Sequence, residues 1–166
     1  MKRALIIALA LLSPLAVRAD PAIYYAPTEN LEQIDVGLID GAQREIDLAA
    51  YVLTDVAVVE ALTRAADRGV RIRLYLYADQ IPTYGRAASA LKALRETPEG
   101  VETRVKPSDR PLMHLKSYQI DRKILRTGSA NFSASGLKHQ NNDLVVIKSP
   151  AAAEDFRKYF ERAWQK

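Results

Sequence analysis

Residues 114–131 read HLKSYQIDRKILRTGSAN: His114, one residue, Lys116, four residues, Asp121, six residues, then Gly128-Ser129-x-Asn131. On a β-strand, residues two apart point the same way, so His114 and Lys116 set an imidazole beside a fixed positive charge. That pair suits a nucleophile attacking an anion such as a phosphodiester. Asp121-Arg122 reads as a two-residue turn into a second strand, Lys123–Thr127, although it lacks the Asn-Gly pair that favours such turns. Gly128, Ser129 and Asn131 then fall where the second strand ends. There, backbone N–H groups, a hydroxyl and a carboxamide can converge on a phosphate oxygen.

Outward from this hairpin the chain alternates strands and helices. Ala22–Tyr25 reads as a short strand, and Asn30–Ala42 as a helix with Leu31, Ile34, Leu38 and Ile39 at helical spacing. Glu45–Leu53 is a mostly apolar run expected to be a buried strand. Thr54 or Asp55 caps a helix ending near Arg68, with Gly69 as its stop. Arg71–Tyr77 alternates, with Ile72, Leu74 and Leu76 on one face and Arg71, Arg73, Tyr75 and Tyr77 on the other. A helix over Arg86–Thr97 and a strand over Val101–Val105 precede the hairpin. Thr83, Tyr84 and Arg86 lie in a loop that can approach a substrate. After the hairpin come a strand, Leu144–Ile147, and a closing helix, Ala151–Gln165, with Phe156, Tyr159, Phe160 and Ala163 inward. The pattern predicts an α/β fold, a layered mixed β-sheet flanked by helices.

Residues 1–19, MKRALIIALALLSPLAVRA, read as a signal peptide, with Lys2 and Arg3 before an apolar run and Val17-Arg18-Ala19 at the cleavage site. The run is shorter than the roughly 20 residues of a spanning helix and contains Pro14. An uncleaved anchor is the alternative. The expectation is a single domain over 20–166, periplasmic or secreted. The whole chain has 24 basic and 20 acidic residues, but Lys2, Arg3 and Arg18 belong to the leader, which has no acid. Residues 20–166 therefore carry a net charge of only +1, and overall charge says little about a nucleic-acid partner. The local pattern says more. Arg104, Lys106, Arg110, Lys116, Arg122, Lys123 and Arg126 surround the hairpin against Asp109 and Asp121, a field that would attract a phosphate backbone. The chain has no cysteine, so no disulfide is expected. Nothing in it has the histidine, cysteine or acidic spacing of a metal site, so no metal or other cofactor is expected.

The spacing of His114, Lys116, Asp121, Gly128 and Ser129 resembles the HKD motif of the phospholipase D superfamily, and the surrounding order of elements resembles its small, single-motif secreted nucleases. The resemblance implies a phospholipase D-like fold and phosphodiester hydrolysis through a phosphohistidine. His114 would be the nucleophile, Lys116, Ser129 and Asn131 would bind the phosphate, and Asp121 would belong to the site or fix its turn. A free histidine titrates near about 6.5, so the neutral ring is available at ordinary pH. The chemistry also needs an acid for the leaving oxygen. In the family a second motif supplies it, so a single-motif chain implies a homodimer with a shared active site. The rival is His139, the other histidine of the sequence, acting within one monomer.

The family's histidine is oriented by a carboxylate shortly after the Gly-Ser segment. Here that stretch is Gln140-Asn141-Asn142-Asp143, which leaves the choice between Asp143, favoured as a carboxylate, and Asn142. The leading expectation is a metal-independent nonspecific endonuclease hydrolysing DNA, with RNA as a further substrate. A phospholipase D cleaving phospholipid head groups with the same residues is the alternative. A third reading is a non-catalytic polyanion-binding module.

Overall fold

The computed structural model of the protein describes residues 20–97 and 99–165, so the leader expected over 1–19 lies outside the described residues. Seven strands form one mixed sheet, and they are β1 (Ala22–Ala26), β2 (Glu45–Ala50), β3 (Arg71–Tyr77), β4 (Val101–Lys106), β5 (Lys116–Ile120), β6 (Ile124–Gly128) and β7 (Asn142–Ile147). Their spatial order is β1-β7-β6-β5-β2-β3-β4. β2, β3 and β4 run parallel, while β5 joins β2 antiparallel, as do β6 with β5, β7 with β6 and β1 with β7. Among the described residues five α-helices accompany them: α1 (Leu31–Asp40), α2 (Val56–Asp67), α3 (Gly85–Arg95), α4 (Ala134–Lys138) and α5 (Pro150–Trp164).

Local chemistry sets the helix ends. Asn30, Asp55 and Ser149 each accept a hydrogen bond from the backbone N–H three residues on, satisfying a donor the helix itself leaves orphaned. Of the two residues expected to cap α2, Asp55 does so, and Pro150 opens α5, where its missing N–H costs nothing. The main core joins Leu31 and Ile39 of α1, Val58 and Leu62 of α2, Leu91 of α3 and Leu137 of α4 to Ile46, Leu48, Ile72, Leu74 and Leu76. On the opposite face α5 brings Phe160 and Trp164 onto Ala49, Tyr75 and Tyr77. The expected alternation of β3 therefore holds, and both of its faces are covered.

Three details differ from expectation. The strand expected over Glu45–Leu53 stops at Ala50, and Leu53 makes a separate bridge to Phe132. Between the hairpin and β7, where the sequence reading placed no element, the chain forms α4, whose N-cap is Ser133 and whose C-cap is His139. Tyr159, expected inward, is 47% exposed.

Candidate active site

The motif hairpin is β5–β6. Its turn has positive φ at Asp121 (54°) and Arg122 (58°), the backbone of a type I′ turn, closed by Lys123 N–H donating to the Ile120 carbonyl at 2.9 Å. Non-glycine residues hold that conformation because Asp121 is pinned. Its carboxylate accepts from the backbone N–H of Gln43 (3.0 Å), Arg44 (2.8 Å) and Glu45 (3.0 Å), and it is 8% exposed. Asp121 stands five residues along the strand from Lys116, about 16 Å away. It ties the turn to the start of β2, the second of the two roles expected of it, and is placed apart from the reacting end.

The other end of the hairpin meets the carboxyl ends of β2 and β3, the position where open α/β sheets bind ligands. Lys116 pairs with Ala50, and Tyr51 N–H continues the ladder to the Leu115 carbonyl at 2.8 Å. His114 is exposed and lies two residues before β5 begins. The Tyr51 ring packs against the His114 imidazole at 4.6 Å between centroids, tilted 57°. Lys116 is only 5% exposed, and its ammonium sits 5.1 Å from the centre of the same tyrosine ring. Its one hydrogen bond goes to the His114 carbonyl at 2.8 Å, and no carboxylate pairs with it among the described residues. Burial holds its pKa below the ordinary lysine value. A desolvated cation without a counter-ion is costly unless an anion arrives, and the tyrosine face offsets only part of that cost.

β6 ends at Gly128, where φ is 139° and a Cβ would come within 2.5 Å of the Asp143 carbonyl oxygen, so only glycine lets β6 approach β7 here. Ser129 and Asp143 then lock together. Ser129 Oγ donates to Asp143 Oδ1 at 2.5 Å, the Ser129 N–H reaches the same oxygen at 3.2 Å, and Asp143 N–H donates to Ser129 Oγ at 2.9 Å. The expectation for both residues changes accordingly. The Ser129 hydroxyl proton is used in a latch between strands rather than offered to a phosphate. The Asp143 carboxylate is engaged with Ser129, not with the His114 ring. The Asn142 amide nitrogen donates to the Gly136 carbonyl at 2.9 Å and to Gln140 Oε1 at 3.3 Å, and no hydrogen bond joins Asn142 to His114 among the described residues.

Asn131 is different. Its Oδ1 is buried without a hydrogen-bond partner, which leaves an unpaired polar group at the end of β6. Gly136 backs this residue closely, since a Cβ there would come within 2.7 Å of the Asn131 carbonyl oxygen. His139 sits at the end of α4, which packs on α1 and β1.

A buried ion pair sets this geometry from behind. Arg126 and Asp35, both 0% exposed, form two bonds of 2.9 and 2.8 Å, and Tyr118 OH donates to Asp35 Oδ1 at 2.8 Å. Burial pushes the Asp35 carboxyl upward against the pull of the guanidinium. Arg126 also donates to the Lys116 carbonyl at 2.7 Å and lies 4.4 Å from the centre of the Phe132 ring. Arg126 was expected in a basic field around the hairpin but is internal instead. Arg122 pairs with Glu45, and Arg104 lies against Trp164 and its carbonyl. The field that remains at the motif end is Lys106, Arg110 and Lys116. Tyr51, Asp35 and the inward role of Arg126 were missed in the sequence. The available signal was position, since Tyr51 follows a strand whose carboxyl end adjoins the motif. Of the loop residues expected near substrate, Tyr84 is 88% exposed and Thr83 lines a separate cavity beside α3.

A sequence-family model described as "Cardiolipin synthase, PLD-like domain" matches residues 36–164. The chain belongs to the phospholipase D superfamily. It is 27% identical over 139 residues to a phospholipase D of Rickettsia conorii, covering 84% of this chain and 66% of that protein, so it spans about two thirds of that relative's length. Its fold is that of Nuc from Salmonella typhimurium, a phospholipase D family member, with a TM-score of 0.75 at 24% identity, covering 88% of this chain and 95% of Nuc. NucT from Helicobacter pylori superposes with a TM-score of 0.76 at 18% identity over 88% of this chain and 96% of NucT. Membership in the superfamily accounts for the mixed sheet flanked by helices and for the motif at its centre.

Proposed function

We propose that this superfamily member hydrolyses phosphodiester bonds, and that its substrate is nucleic acid, cut as a nonspecific, metal-independent endonuclease on DNA and on RNA. The observation that carries the reading is the buried Lys116 ammonium, without a carboxylate partner among the described residues and bonded to the carbonyl of the exposed His114. A phosphate placed there gives the cation its counter-ion and lies beside a nucleophile; from Asn131 only the Nδ2 amide group could donate to it, since the buried Oδ1 can only accept.

In the first step a ring nitrogen of His114 attacks phosphorus. The N–P bond forms as one P–O bond breaks, and the departing oxygen needs a proton. His139 is exposed at the C-terminal end of α4, and no hydrogen bond joins it to His114 among the described residues, so the reading takes that proton from a homodimer partner. The partner subunit's His114 then protonates the leaving oxygen. In the second step it takes a proton from water, whose oxygen displaces His114 from phosphorus. An isologous two-fold interface provides two such histidines facing one another. The leader over 1–19 would deliver the protein to the periplasm or beyond the cell.

A second reading keeps the chemistry and makes the substrate a phospholipid. The match to the Rickettsia phospholipase D favours it. One experiment separates the two. Purified protein in excess EDTA is offered plasmid DNA and phosphatidylcholine vesicles in parallel, with His114→Ala as the control. Cleaved plasmid with intact lipid and a silent variant is the expected result. Head-group release with intact plasmid assigns the protein to lipid, and loss of all activity in EDTA removes the metal-independent mechanism.

A further inference from the structure

A cavity of about 260 Å³ opens between the 107–113 loop and α5, immediately beside the motif. Buried Met113 forms part of its wall, and the exposed His114 follows it in the chain, so the cavity lies on the segment that leads into the nucleophile. Tyr75 lines it from β3, while Tyr159 and Arg162, three apart on α5, face it together. Leu112 and Tyr159, at 58% and 47%, are two of the six large hydrophobic residues left exposed among the described residues, and both line this one cavity. Lys106, from the end of β4, and Arg162 also line it, and neither has a carboxylate partner among the described residues. An aromatic and aliphatic lining with two uncompensated cations at one place is not the pattern of a solvated helix face.

We propose that this cavity is a nucleotide subsite of the active centre. A base of single-stranded nucleic acid lies against Tyr159 and Leu112, and its phosphate sits by Lys106 and Arg162. A neighbouring phosphate of the same strand thereby reaches His114. The proposal rests on the nuclease reading and names its substrate form. A lipid acyl chain would satisfy the apolar lining but set hydrocarbon against two unpaired cations, whereas a nucleotide satisfies both. Stacking on a tyrosine accepts any base, so the subsite gives no sequence preference, but it requires a base whose face is free. The enzyme should therefore prefer single strands to duplex.

The test uses the purified full-length chain and its Tyr159→Ala and Tyr159→Phe variants. Their substrates are a single-stranded oligonucleotide, the same oligonucleotide made abasic beside the cut, bis(p-nitrophenyl) phosphate and phosphatidylcholine vesicles. Tyr159→Ala should raise KM for the intact oligonucleotide about tenfold with kcat little changed. Tyr159→Phe should remain near wild type, and neither change should move the small diester or the abasic strand. Tyr159 is 47% exposed, and thermal melting of each variant verifies that the fold is kept. A wild type that cuts the oligonucleotide while Tyr159→Ala is neutral overturns the subsite and leaves the nuclease reading intact. A KM rise equal on the abasic strand also overturns it. A wild type that hydrolyses only the vesicles overturns the nuclease reading and the subsite with it.

Discussion

At the scale of single residues, the site is built around a cation whose charge is left uncompensated. Lys116 is nearly buried, touches a tyrosine face and the carbonyl of His114, and has no acid beside it among the described residues. The same burial lowers its pKa, so its proton is lost at a lower pH than from a free lysine. Below that pKa the ammonium binds phosphate, and above it the site holds a neutral amine. The kcat/KM profile of the enzyme should therefore show an alkaline fall beginning below the ordinary lysine value of about 10.5. In Lys116→Arg that fall should vanish, because a guanidinium keeps its charge. An unchanged alkaline limb in Lys116→Arg would assign it to another group. Lys116→Ala should lose about 10²–10³ in kcat, comparable to removing one preorganised transition-state donor.

At the scale of elements, the hairpin β5–β6 is fixed at both ends by different means. The turn end is held by three backbone N–H groups on Asp121, and the reacting end by Arg126 on the Lys116 carbonyl, with Asp35 holding Arg126 from α1. Asp35→Ala leaves a buried guanidinium without its partner and should cost about 3–5 kcal/mol in urea-induced unfolding. A loss below about 1 kcal/mol would show that the pair does not support the hairpin. The elements themselves were legible in the sequence because their signals are local. Apolar spacing marked α1, a cap and a stop glycine marked α2, the alternation of Arg71–Tyr77 marked a strand, and Asp121-Arg122 marked the turn. The roles of charged residues were not legible. Arg126 and Arg122 look alike in a sequence, yet one is sealed behind Phe132 and the other pairs at the rim with Glu45. Ser129 looked like a phosphate ligand because its motif position is right. Only the strand register, which sets Gly128 against Leu144 and brings Asp143 next to Ser129, reveals the latch.

At the scale of the whole molecule, one chain carries one His-Lys motif, and its other histidine sits at the end of α4. In the proposed mechanism a second copy supplies the proton for the leaving oxygen. If both copies must bring a sound His114, mixing wild type with His114→Ala by co-refolding produces heterodimers that are inactive. Activity per total protein should then fall as the square of the wild-type fraction. A linear fall would mean that each chain works alone and would return His139 to consideration, with His139→Ala as the variant to measure.

The central claim is that His114 bonds to phosphorus, and the measurement that meets it most directly is rapid quenching of a single turnover. Enzyme in excess over a labelled single-stranded oligonucleotide is stopped in alkali, which preserves phosphorus–nitrogen bonds, and the labelled peptide is mapped by mass spectrometry. The account predicts a transient adduct on the peptide carrying His114, forming before the hydrolysed product and absent in His114→Ala, whose turnover falls by about 10⁴-fold or more. Product formation with no adduct, together with near wild-type turnover in His114→Ala, would contradict it.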